Sequence, residues 1–430
     1  MTDHDGSGEL VRIGPPGDKS ITHRALVLAA LGHGRSCIRG ALTALDARSM
    51  ARVLRRIGAD VSPLRPGRDV TVQGHGLRGL RQPGEALHCG NSGTTARFLL
   101  GALASFRFSA VITGDASLRK RPMRRVTQPL AAMGARFEER RGDGLPLVMH
   151  GGRLQPLIYD LPVAAAQVKT ALLLAGLTGR VAVTLREPAQ SRDHTERMFR
   201  ALGLPLQVTP SGGLSLAPAD RVPAFELDVP GDVSSAAFLV AAAVLGVGRG
   251  VTLTGVGVNP TRTGVLRVLE RMGARIRLEP VGEQLGEPVA NLTVMPSSLT
   301  AAEVSASEVP SLIDEVPILA VLASRAAGAS VFRGVQELRV KESNRLALLA
   351  SNLRALGVEA EASEATLTVV GTDRPARGSV VTAGDHRLTM AFAVLGAVPR
   401  ARVRLSETAS AAVSYPTFFS DLRRLVRRGR

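Results

Sequence analysis

The amino-acid sequence predicts an α/β fold of six βαβαββ-like units, three in each of two domains, with the helices buried and the sheets outside. Two recurring patterns and the chain length predict it. A small-residue apolar helix recurs about every 70 to 80 residues, followed each time by a Gly or Pro break and a β-type stretch. Because these helices are apolar nearly all round, we expect them to pack inside the domains. They lie at 24–30, 96–102, 169–175, 236–242, 318–323 and 390–395.

A second helix in each of the first five units ends on a glycine, and a short strand follows. Glycine is common just after a helix because it adopts the left-handed backbone conformation without strain. The sixth unit reaches the last residue before such a marker appears. The five residues are Gly58, Gly134, Gly203, Gly273 and Gly357.

The length of 430 residues favours two domains of about 200 residues each. Three units fall in each half, so we expect a boundary where the third unit meets the fourth, near 229–232. No apolar run reaches the roughly 18 residues that span a bilayer, since Lys169 interrupts the longest candidate. An acidic N-terminus and two cysteines without metal or redox spacing predict a protein of the reducing cytoplasm.

The net charge of +17 raises the question of nucleic-acid binding. Aromatic residues, which stack on bases, make up only 3% of the chain, and the arginines are spread along it, with one cluster at 423–430. Small anionic ligands explain the same excess, and we predict no nucleic-acid partner. Lysine occurs only at positions 19, 120, 169 and 341. These four lysines are either kept by chance or kept where a compact ammonium group is needed.

Seven short motifs place charged or polar residues where helices begin. In the first, 17–24, Ser20 is a candidate N-cap of a helix whose first backbone N–H groups are free for an anion. Arg24 lies four residues beyond Ser20, on the same helical face. The motif lacks the glycine spacing of a nucleoside triphosphate loop, and a capped surface helix remains the alternative.

The other motifs repeat this arrangement. Gly93 lets a ligand approach the backbone, and we expect Glu315 to cap a helix while Asp314 faces the site. The sixth motif carries two cations one turn apart, with Glu342 as a candidate acid. For the third, a solvated basic loop remains the alternative. These motifs lie at 90–97, 118–123, 166–169 together with 191–196, 312–317, 339–345 and 384–387.

Together the motifs predict one site for anions. Helix N-termini favour negative charge, and helices that run toward a cleft between the two domains would line it with cations and two carboxylates. Such a site suits two phosphorylated or carboxylated small molecules that undergo proton transfer. The cations are Lys19, Arg24, Arg121, Lys341, Arg345 and Arg387, and the acids are Asp314 and Glu342.

Two other patterns point elsewhere and are set aside. The GxGxxG spacing at 74–79 is followed by Pro83 and Gly84, where a dinucleotide-binding helix would have to begin. The eight histidines show no metal-binding spacing, so we predict no metal.

Five motifs, in their order along the chain, resemble those of the EPSP synthase family of enolpyruvyl transferases. They are Asp18-Lys19-Ser20 with Arg24, then 90–94, 120–123, 339–345 and 385–387, so the resemblance covers essentially the whole chain. It implies two inverse α/β domains of three units each. Residues 1–18 with 231–430 would form one domain and 19–230 the other, with the active site in the cleft between them.

The resemblance also implies a reaction. The enolpyruvyl group of phosphoenolpyruvate would move to the 5-hydroxyl of shikimate 3-phosphate through a tetrahedral intermediate, with release of phosphate. Asp314 would accept the hydroxyl proton, and Glu342, helped by Lys19, would protonate the methylene carbon. Such an enzyme serves the shikimate pathway to aromatic amino acids, is a target of glyphosate, and needs no metal or organic cofactor. We expect a cytoplasmic monomer.

The ligands of both substrates follow from the resemblance, residue by residue. Phosphoenolpyruvate would be bound by Lys19, Gly93, Arg121, Gln167, Arg345, His386 and Arg387. Shikimate 3-phosphate would be bound by Lys19, Ser20, Arg24, Gln167, Asp314 and Lys341, with position 165 and Ser191 or Arg192 near its phosphate.

Two positions depart from the family pattern. The family commonly has Ser two residues before the glutamine, where this chain has Ala165. One hydrogen bond to the substrate phosphate, worth roughly 1.5–3 kcal/mol, would then be missing. Val413 stands where some members carry a lysine. Either the arginines compensate or phosphoenolpyruvate binds more weakly.

Two alternatives share the repeat architecture. The enolpyruvyl transferase that acts on UDP-N-acetylglucosamine usually carries a cysteine five residues before its Arg-Pro pair, where this chain has Ala116. A nucleic-acid-processing protein such as RNA 3′-phosphate cyclase would not need the motifs at 341–345 and 385–387. Both differences favour the first interpretation.

Overall fold

The computed structural model describes residues 10–139, 142–209 and 212–427. Their contacts divide them into two compact units. The N-terminal unit comprises Pro16–Pro230 and Glu283–Pro288. The C-terminal unit comprises the described residues up to Pro15, Gly231–Gly282 and those from Val289 onward.

Six repeats of strands and helices follow one another along the chain. The first three contain β1 (Val11–Ile13), α1 (Lys19–Leu31), β2 (His33–Arg39), α2 (Leu45–Arg56), β3 (Asp60–Val61), β4 (Val70–His75); β5 (Leu87–His88), α3 (Gly93–Leu103), β6 (Ser109–Thr113), α4 (Arg124–Ala132), β7 (Arg136–Glu139), β8 (Leu147–His150); and β9 (Leu157–Asp160), α5 (Ala166–Gly179), β10 (Val183–Arg186), α6 (His194–Ala201), β11 (Leu206–Val208), β12 (Leu214–Leu216). The last three contain β13 (Glu226–Asp228), α7 (Val233–Val244), β14 (Val251–Gly257), α8 (Gly264–Arg271), β15 (Arg275–Gln284), β16 (Glu287–Met295); β17 (Glu303–Val304), α9 (Val316–Ala323), β18 (Ala329–Arg333), α10 (Arg345–Ala355), β19 (Ala360–Ala362), β20 (Thr366–Val370); and β21 (Arg377–Val380), α11 (His386–Ala397), β22 (Arg402–Leu405), α12 (Phe418–Arg427).

Each of the first five repeats contributes to a four-stranded mixed sheet. In the order β5-β6-β8-β7, the first two strands are parallel and the others antiparallel. The sheets β9-β10-β12-β11 and β17-β18-β20-β19 follow the same plan. The first and fourth repeats exchange their first strands, because β13 pairs in parallel with β2 and β1 with β14.

The sixth repeat differs from the others. Within the described part of the chain its sheet has two strands, β21 and β22, which run parallel with Arg377 opposite Arg402 and Val380 opposite Leu405. Helix α12 follows where the other repeats have two further strands.

The first helix of each repeat is largely buried, as the sequence predicts. All 12 residues of α7 and all 8 of α9 are buried, and each unit has its own apolar core. The α/β class with buried helices is therefore confirmed. The five predicted helix-ending glycines all have left-handed backbones, with φ between 71° and 114°.

Close packing of α3 on α5 depends on a glycine. A Cβ at Gly101 would lie 2.0 Å from the carbonyl oxygen of Ala171 and 2.7 Å from its Cα. Backbone atoms in two buried helices cannot move aside as a flexible side chain can.

We expect Gly101→Ala to lower the free energy of unfolding by about 1–3 kcal/mol, because the added methyl forces these helices apart. Urea denaturation measures the change. Gly84→Ala is the matched control, since a Cβ there meets nothing within 4 Å. Equal stability of the two variants would contradict this account of the α3–α5 packing.

Candidate active site

Helix α1 begins at Lys19, and Asp18 caps it rather than Ser20, so the predicted cap was wrong. Asp18 Oδ1 accepts a 2.9 Å hydrogen bond from the backbone N–H of Ile21. A carboxylate just ahead of the helix reaches this amide, whereas Ser20 already lies inside the first turn. Lys19 Nζ is 3.3 Å from Asp46 Oδ2. Lys19 is the first residue of α1, so its ammonium group adds positive charge at a helix N-terminus, which by itself favours an anion.

Arg24, one turn further along α1, is buried and held by three hydrogen bonds. Nη1 donates to the carbonyl of Ser20 at 2.9 Å, Nη2 to Thr170 Oγ1 at 2.8 Å and Nε to Thr195 Oγ1 at 2.7 Å. The guanidinium carbon also lies 5.0 Å from the centroid of the Phe98 ring. Burial lowers the pKa of Arg24 to about 10, so the group stays charged at neutral pH. A cation fixed in this way binds an anion with little loss of side-chain freedom.

Thr170 and Thr195, which hold Arg24, are each next in sequence to a member of a buried ion cluster. Lys169 is 1% exposed, and its Nζ lies 2.7 Å from Glu187 Oε2 and 2.6 Å from Glu196 Oε1. Burial raises the pKa of Glu196, and the charge of Lys169 opposes that rise. Because Lys169 precedes Thr170 and Glu196 follows Thr195, the cluster fixes the starts of α5 and α6 around Arg24.

A buried histidine links the starts of α1 and α3. Ser92 caps α3 by accepting the backbone N–H of Thr95 at 3.2 Å. His23 Nε2 lies 3.3 Å from Ser92 Oγ, and its Nδ1 lies 2.8 Å from the carbonyl oxygen of Lys19. Burial lowers the pKa of His23, which favours the neutral ring at pH 7.

Two guanidinium groups lie against the first turn of α3. A Cβ on Gly93 would be 2.7 Å from Arg97 Nη1 and 3.3 Å from Arg121 Nη1. Arg97 donates to Gln167 Oε1 at 2.7 Å, and Arg121 donates to Asn91 Oδ1 at 2.6 Å. The structure thus brings Gly93, Arg121 and Gln167 together through Arg97, which the prediction missed. Its place four residues after Gly93, on the same helical face, is the signal that could have identified it.

The other predicted phosphate ligands of the N-terminal unit lie where α5 and α6 begin. Ala165 precedes α5 and offers no side-chain cap. Ser191 is 4% exposed, and its Oγ has no hydrogen-bond partner within the described ranges. The charge of Arg192 contributes to the lowered pKa of Arg24, after the larger effect of burial, so the two cations are within electrostatic range. An anion here would reduce this repulsion and could accept the hydroxyl of Ser191.

In the C-terminal unit, Asp314 is surrounded by three cations. Its Oδ1 lies 3.7 Å from Lys341 Nζ and 3.6 Å from Arg345 Nη1, and its Oδ2 lies 3.8 Å from Arg387 Nη2. Arg387 Nη1 also donates to the backbone carbonyl of Asp314 at 2.9 Å. Three positive charges at this range favour the ionised carboxylate.

Arg345 is the centre of a second network. It is 1% exposed, its Nε lies 2.8 Å from Asp385 Oδ2, and its Nη2 donates to Glu342 Oε2. Burial opposes the charge of Arg345, but Glu342 and Asp385 outweigh that effect and raise its pKa. Burial likewise opposes ionisation of Asp385, yet Arg345 and His386 lower its pKa. Asp385 Oδ1 also caps α11 through the N–H of Arg387, so this network fixes the start of that helix.

Glu315 was predicted to cap α9, and that prediction was wrong. It occupies the N-cap position, but its side chain makes no capping hydrogen bond. Instead Oε1 accepts the hydroxyl of Ser234 and lies 3.5 Å from Arg387 Nη1. Arg262 in turn donates to both Ser234 and Asp232. The partners of the fully buried Glu315 thus come from α7 and α11 rather than from its own helix.

Each unit therefore presents one set of predicted residues around helix N-termini. The N-terminal set offers cations and free helix amides, which suit anion binding. The C-terminal set offers a carboxylate among cations and a second carboxylate on Arg345, which suits proton transfer beside an anion. Among residues 10–139, 142–209 and 212–427, no group of acidic, His or Cys side chains could hold a metal ion. No helix in these ranges has the length and apolar character needed to cross a membrane.

Comparison with known proteins identifies the family of the chain. The family model described as EPSP synthase (3-phosphoshikimate 1-carboxyvinyltransferase) matches residues 7–422. A protein of that name from Geobacillus kaustophilus is 46% identical over 416 residues, which is 96% of each chain. One from Synechococcus sp. is 46% identical over 419 residues, covering 96% of this chain and 95% of the relative.

Solved structures agree with the sequence comparisons, first in the fold and then in the family. The enolpyruvyl transferase NikO from Streptomyces tendae superposes with a TM-score of 0.76 at 20% identity, covering 97% of this chain and 94% of that one, which shows a shared enolpyruvyl transferase fold. EPSP synthase from Acinetobacter baumannii superposes with a TM-score of 0.85 at 37% identity, covering 97% of this chain and 95% of that one. The chain belongs to the EPSP synthase family. The resemblance found in the sequence is confirmed.

We expect Lys169→Met to lower the free energy of unfolding by about 3–5 kcal/mol at pH 8, because it leaves the buried carboxylate of Glu196 and the partly buried one of Glu187 without their ammonium partner. Burial already raises the pKa of Glu196, and losing Lys169 should raise it further. The folded variant then holds a proton that the unfolded chain releases, so stability falls as pH rises.

Urea denaturation at pH 5 and pH 8 tests this expectation. The loss should be smaller at pH 5, where Glu196 is more often protonated in the folded variant. Lys120→Met, at an exposed lysine, is the control and should change little at either pH. A loss of the same size at both pH values would mean that the charges of Glu187 and Glu196 do not cause it.

Proposed function

We propose that this chain transfers the enolpyruvyl group of phosphoenolpyruvate to the 5-hydroxyl of shikimate 3-phosphate. The observation that carries the proposal is the Asp314 carboxylate, which lies within 4 Å of Lys341, Arg345 and Arg387. Such a group can accept a proton while the cations around it bind carboxylate and phosphate groups of the substrates. Membership of the EPSP synthase family supports this substrate pair over UDP-N-acetylglucosamine.

The N-terminal set supplies the ligands of shikimate 3-phosphate in this proposal. Arg24 is held rigidly, and the unpartnered Ser191 hydroxyl and Arg192 lie near the start of α6. Lys19, Ser20 and Gln167 complete the phosphate and hydroxyl contacts. Ala165 contributes no hydroxyl, so the rigid Arg24 takes a larger share of the phosphate contact. Asp314 and Lys341 of the C-terminal set bind the carbocyclic ring of this substrate through its hydroxyl groups.

Phosphoenolpyruvate is assigned to cations of both sets. Arg121 and Gln167 lie around Gly93, where the bare backbone leaves room that a Cβ would fill. In the C-terminal set, Arg345, His386 and Arg387 all belong to helix starts. The N–H groups and guanidinium groups there suit the three negative charges of the substrate. Lys19 is assigned to both substrates.

The reaction balances as an addition followed by an elimination. Asp314 takes the proton of the 5-hydroxyl while the hydroxyl oxygen bonds to C2 of phosphoenolpyruvate. Glu342 gives a proton to the methylene carbon. The tetrahedral intermediate then loses phosphate, which leaves with the proton held by Asp314, and its methyl group returns a proton to Glu342, which restores the carbon–carbon double bond. Glu342 is already bound to Arg345, which keeps its carboxyl group oriented.

We also propose that the protein acts in the cytoplasm as a monomer. Cys37 and Cys89 are both free within the described ranges, and burial raises the pKa of the Cys89 thiol to about 12. A thiol held protonated in this way is unreactive toward disulfides, which fits a reducing compartment.

A phosphate-release assay tests the proposed reaction directly. We expect inorganic phosphate only when phosphoenolpyruvate and shikimate 3-phosphate are both present, because the leaving group departs only from their adduct. UDP-N-acetylglucosamine should not replace shikimate 3-phosphate. Phosphate release with the nucleotide sugar alone as acceptor would overturn the proposed substrate.

We expect Asp314→Asn and Glu342→Gln each to lower kcat by about 10²- to 10⁴-fold, because each removes one proton-transfer group while keeping its shape. KM should change less. Glu361→Gln, at an exposed glutamate of β19, is the control with the same chemical change. Thermal unfolding should confirm that all three variants fold. Turnover of the first two within a few-fold of the parent would remove the assigned roles.

A further inference from the structure

Among the residues that the structure describes, no strand pairs with one side of β22 in the sixth repeat. In the five other sheets, the strand that corresponds to β22 has a parallel neighbour on one side and an antiparallel neighbour on the other. These antiparallel neighbours are β4, β8, β12, β16 and β20. Over the described ranges, β22 pairs only with β21, and the chain continues into α12. The fold thus contains five examples of the strand that could pair here.

The backbone of β22 has hydrogen-bonding groups directed toward this open side. The N–H groups of Arg402 and Ser406 donate to the carbonyls of Ala376 and Val380, at 2.8 and 3.0 Å, on the β21 side. Successive residues of an extended strand direct their N–H and C=O groups to opposite sides. The backbone groups of Val403 and Leu405 therefore point to the open side, where an added strand would find them.

The outer face of this sheet is positively charged. Arg377 is the register partner of Arg402, and Ser379 is the partner of Arg404, and all four residues are exposed. None of these three arginines has a carboxylate partner in the part of the chain that the structure describes. Like charges directly opposite each other destabilise a sheet. Anionic groups on a neighbouring strand would relieve that repulsion.

A groove of about 550 Å³ lies against the two paired strands. It is lined by residues of β21 and β22 together with Ala401 and with Gly396 of α11. Its lining contains no aromatic side chain, which disfavours single-stranded nucleic acid because bases would have nothing to stack on. The arginines also oppose pairing with a second copy of the same basic edge.

We propose that the open side of β22 binds an extended, acidic segment of another protein as an added antiparallel strand. The backbone groups of Val403 and Leu405 pair with the segment, and the carboxylates at every second position meet Arg402 and Arg404. Antiparallel addition follows from the five complete sheets, and the acidic character follows from the arginine face. This surface is independent of the residues assigned to the reaction.

Fluorescence anisotropy with a labelled peptide tests the charge requirement. The probe has about ten residues, alternating Val and Glu, and its counterpart carries Lys in place of Glu. We expect the acidic peptide to bind and the basic one not to bind. The double variant Arg402→Glu/Arg404→Glu should weaken binding by about tenfold or more, because two charge-assisted contacts become repulsive.

The matched control is Arg52→Glu/Arg107→Glu, which changes the net charge equally at two other exposed arginines. Its peptide affinity should remain that of the parent, and both double variants should keep parental phosphate release and be no less stable to heat than the parent. Equal weakening by the two double variants would mean that net charge alone attracts the peptide, which overturns the proposed surface. Failure of the acidic peptide to bind the parent protein overturns it as well.

Backbone pairing has its own test. Two N-methylated versions of the acidic peptide are compared, one methylated at its odd positions and the other at its even positions. One version lacks the N–H groups that face β22, and the other lacks those that face away. We expect one pattern to abolish binding and the other to preserve it, and bound peptide should slow hydrogen exchange at 402–405. Equal binding of both methylated peptides, or displacement of the parent peptide by a single-stranded oligonucleotide of equal charge, would overturn strand addition in favour of simple polyanion attraction.

Discussion

Burial of most of the first helix in each repeat is the constraint on which the rest of the structure depends. A helix such as α7, buried along its whole length, can present polar chemistry only at its ends. The first amides of a helix lack partners within it, so these ends attract polar capping side chains and anions. Asp18, Ser92 and Asp385 are such caps, and the residues that follow them are assigned to substrates. Six repeats of one plan thus generate several helix starts that suit anions.

Charges placed at these buried ends must be paired, because an isolated ion in the interior is costly. The two units meet this requirement differently. In the N-terminal unit, Arg24 is held by hydroxyl groups and keeps its charge for a ligand. In the C-terminal unit, Arg345 is bound to Glu342 and Asp385, so its charge orients two acids. The first arrangement suits recognition of a phosphate, and the second suits proton transfer.

The sequence was sufficient for the features that repeat and insufficient for those that join repeats. The buried helices, the glycines that end the second helices and the polar helix starts all follow local periodicity, which a single chain displays directly. The cap at Asp18 instead of Ser20 is a shift of two residues, within the usual uncertainty of helix ends. Glu315 was misassigned because its partners, Ser234 and Arg387, come from two other repeats. The pairing of Lys169 with Glu187 and Glu196 was missed because spacing along the chain does not show contacts between helices.

The sixth repeat shows how the same constraint accommodates an incomplete sheet. A buried α11 still needs cover, and α12 with the turn before it provides that cover in place of a hairpin. Phe418 of α12 packs edge-on against Phe238 of α7 at 6.0 Å and against Tyr415 at 5.7 Å, which concentrates scarce aromatic residues at this end of the core. Because these contacts bury apolar area as a hairpin would, the core does not require a strand beside β22. The open edge is therefore compatible with a stable fold, and its arginines decide what can pair with it.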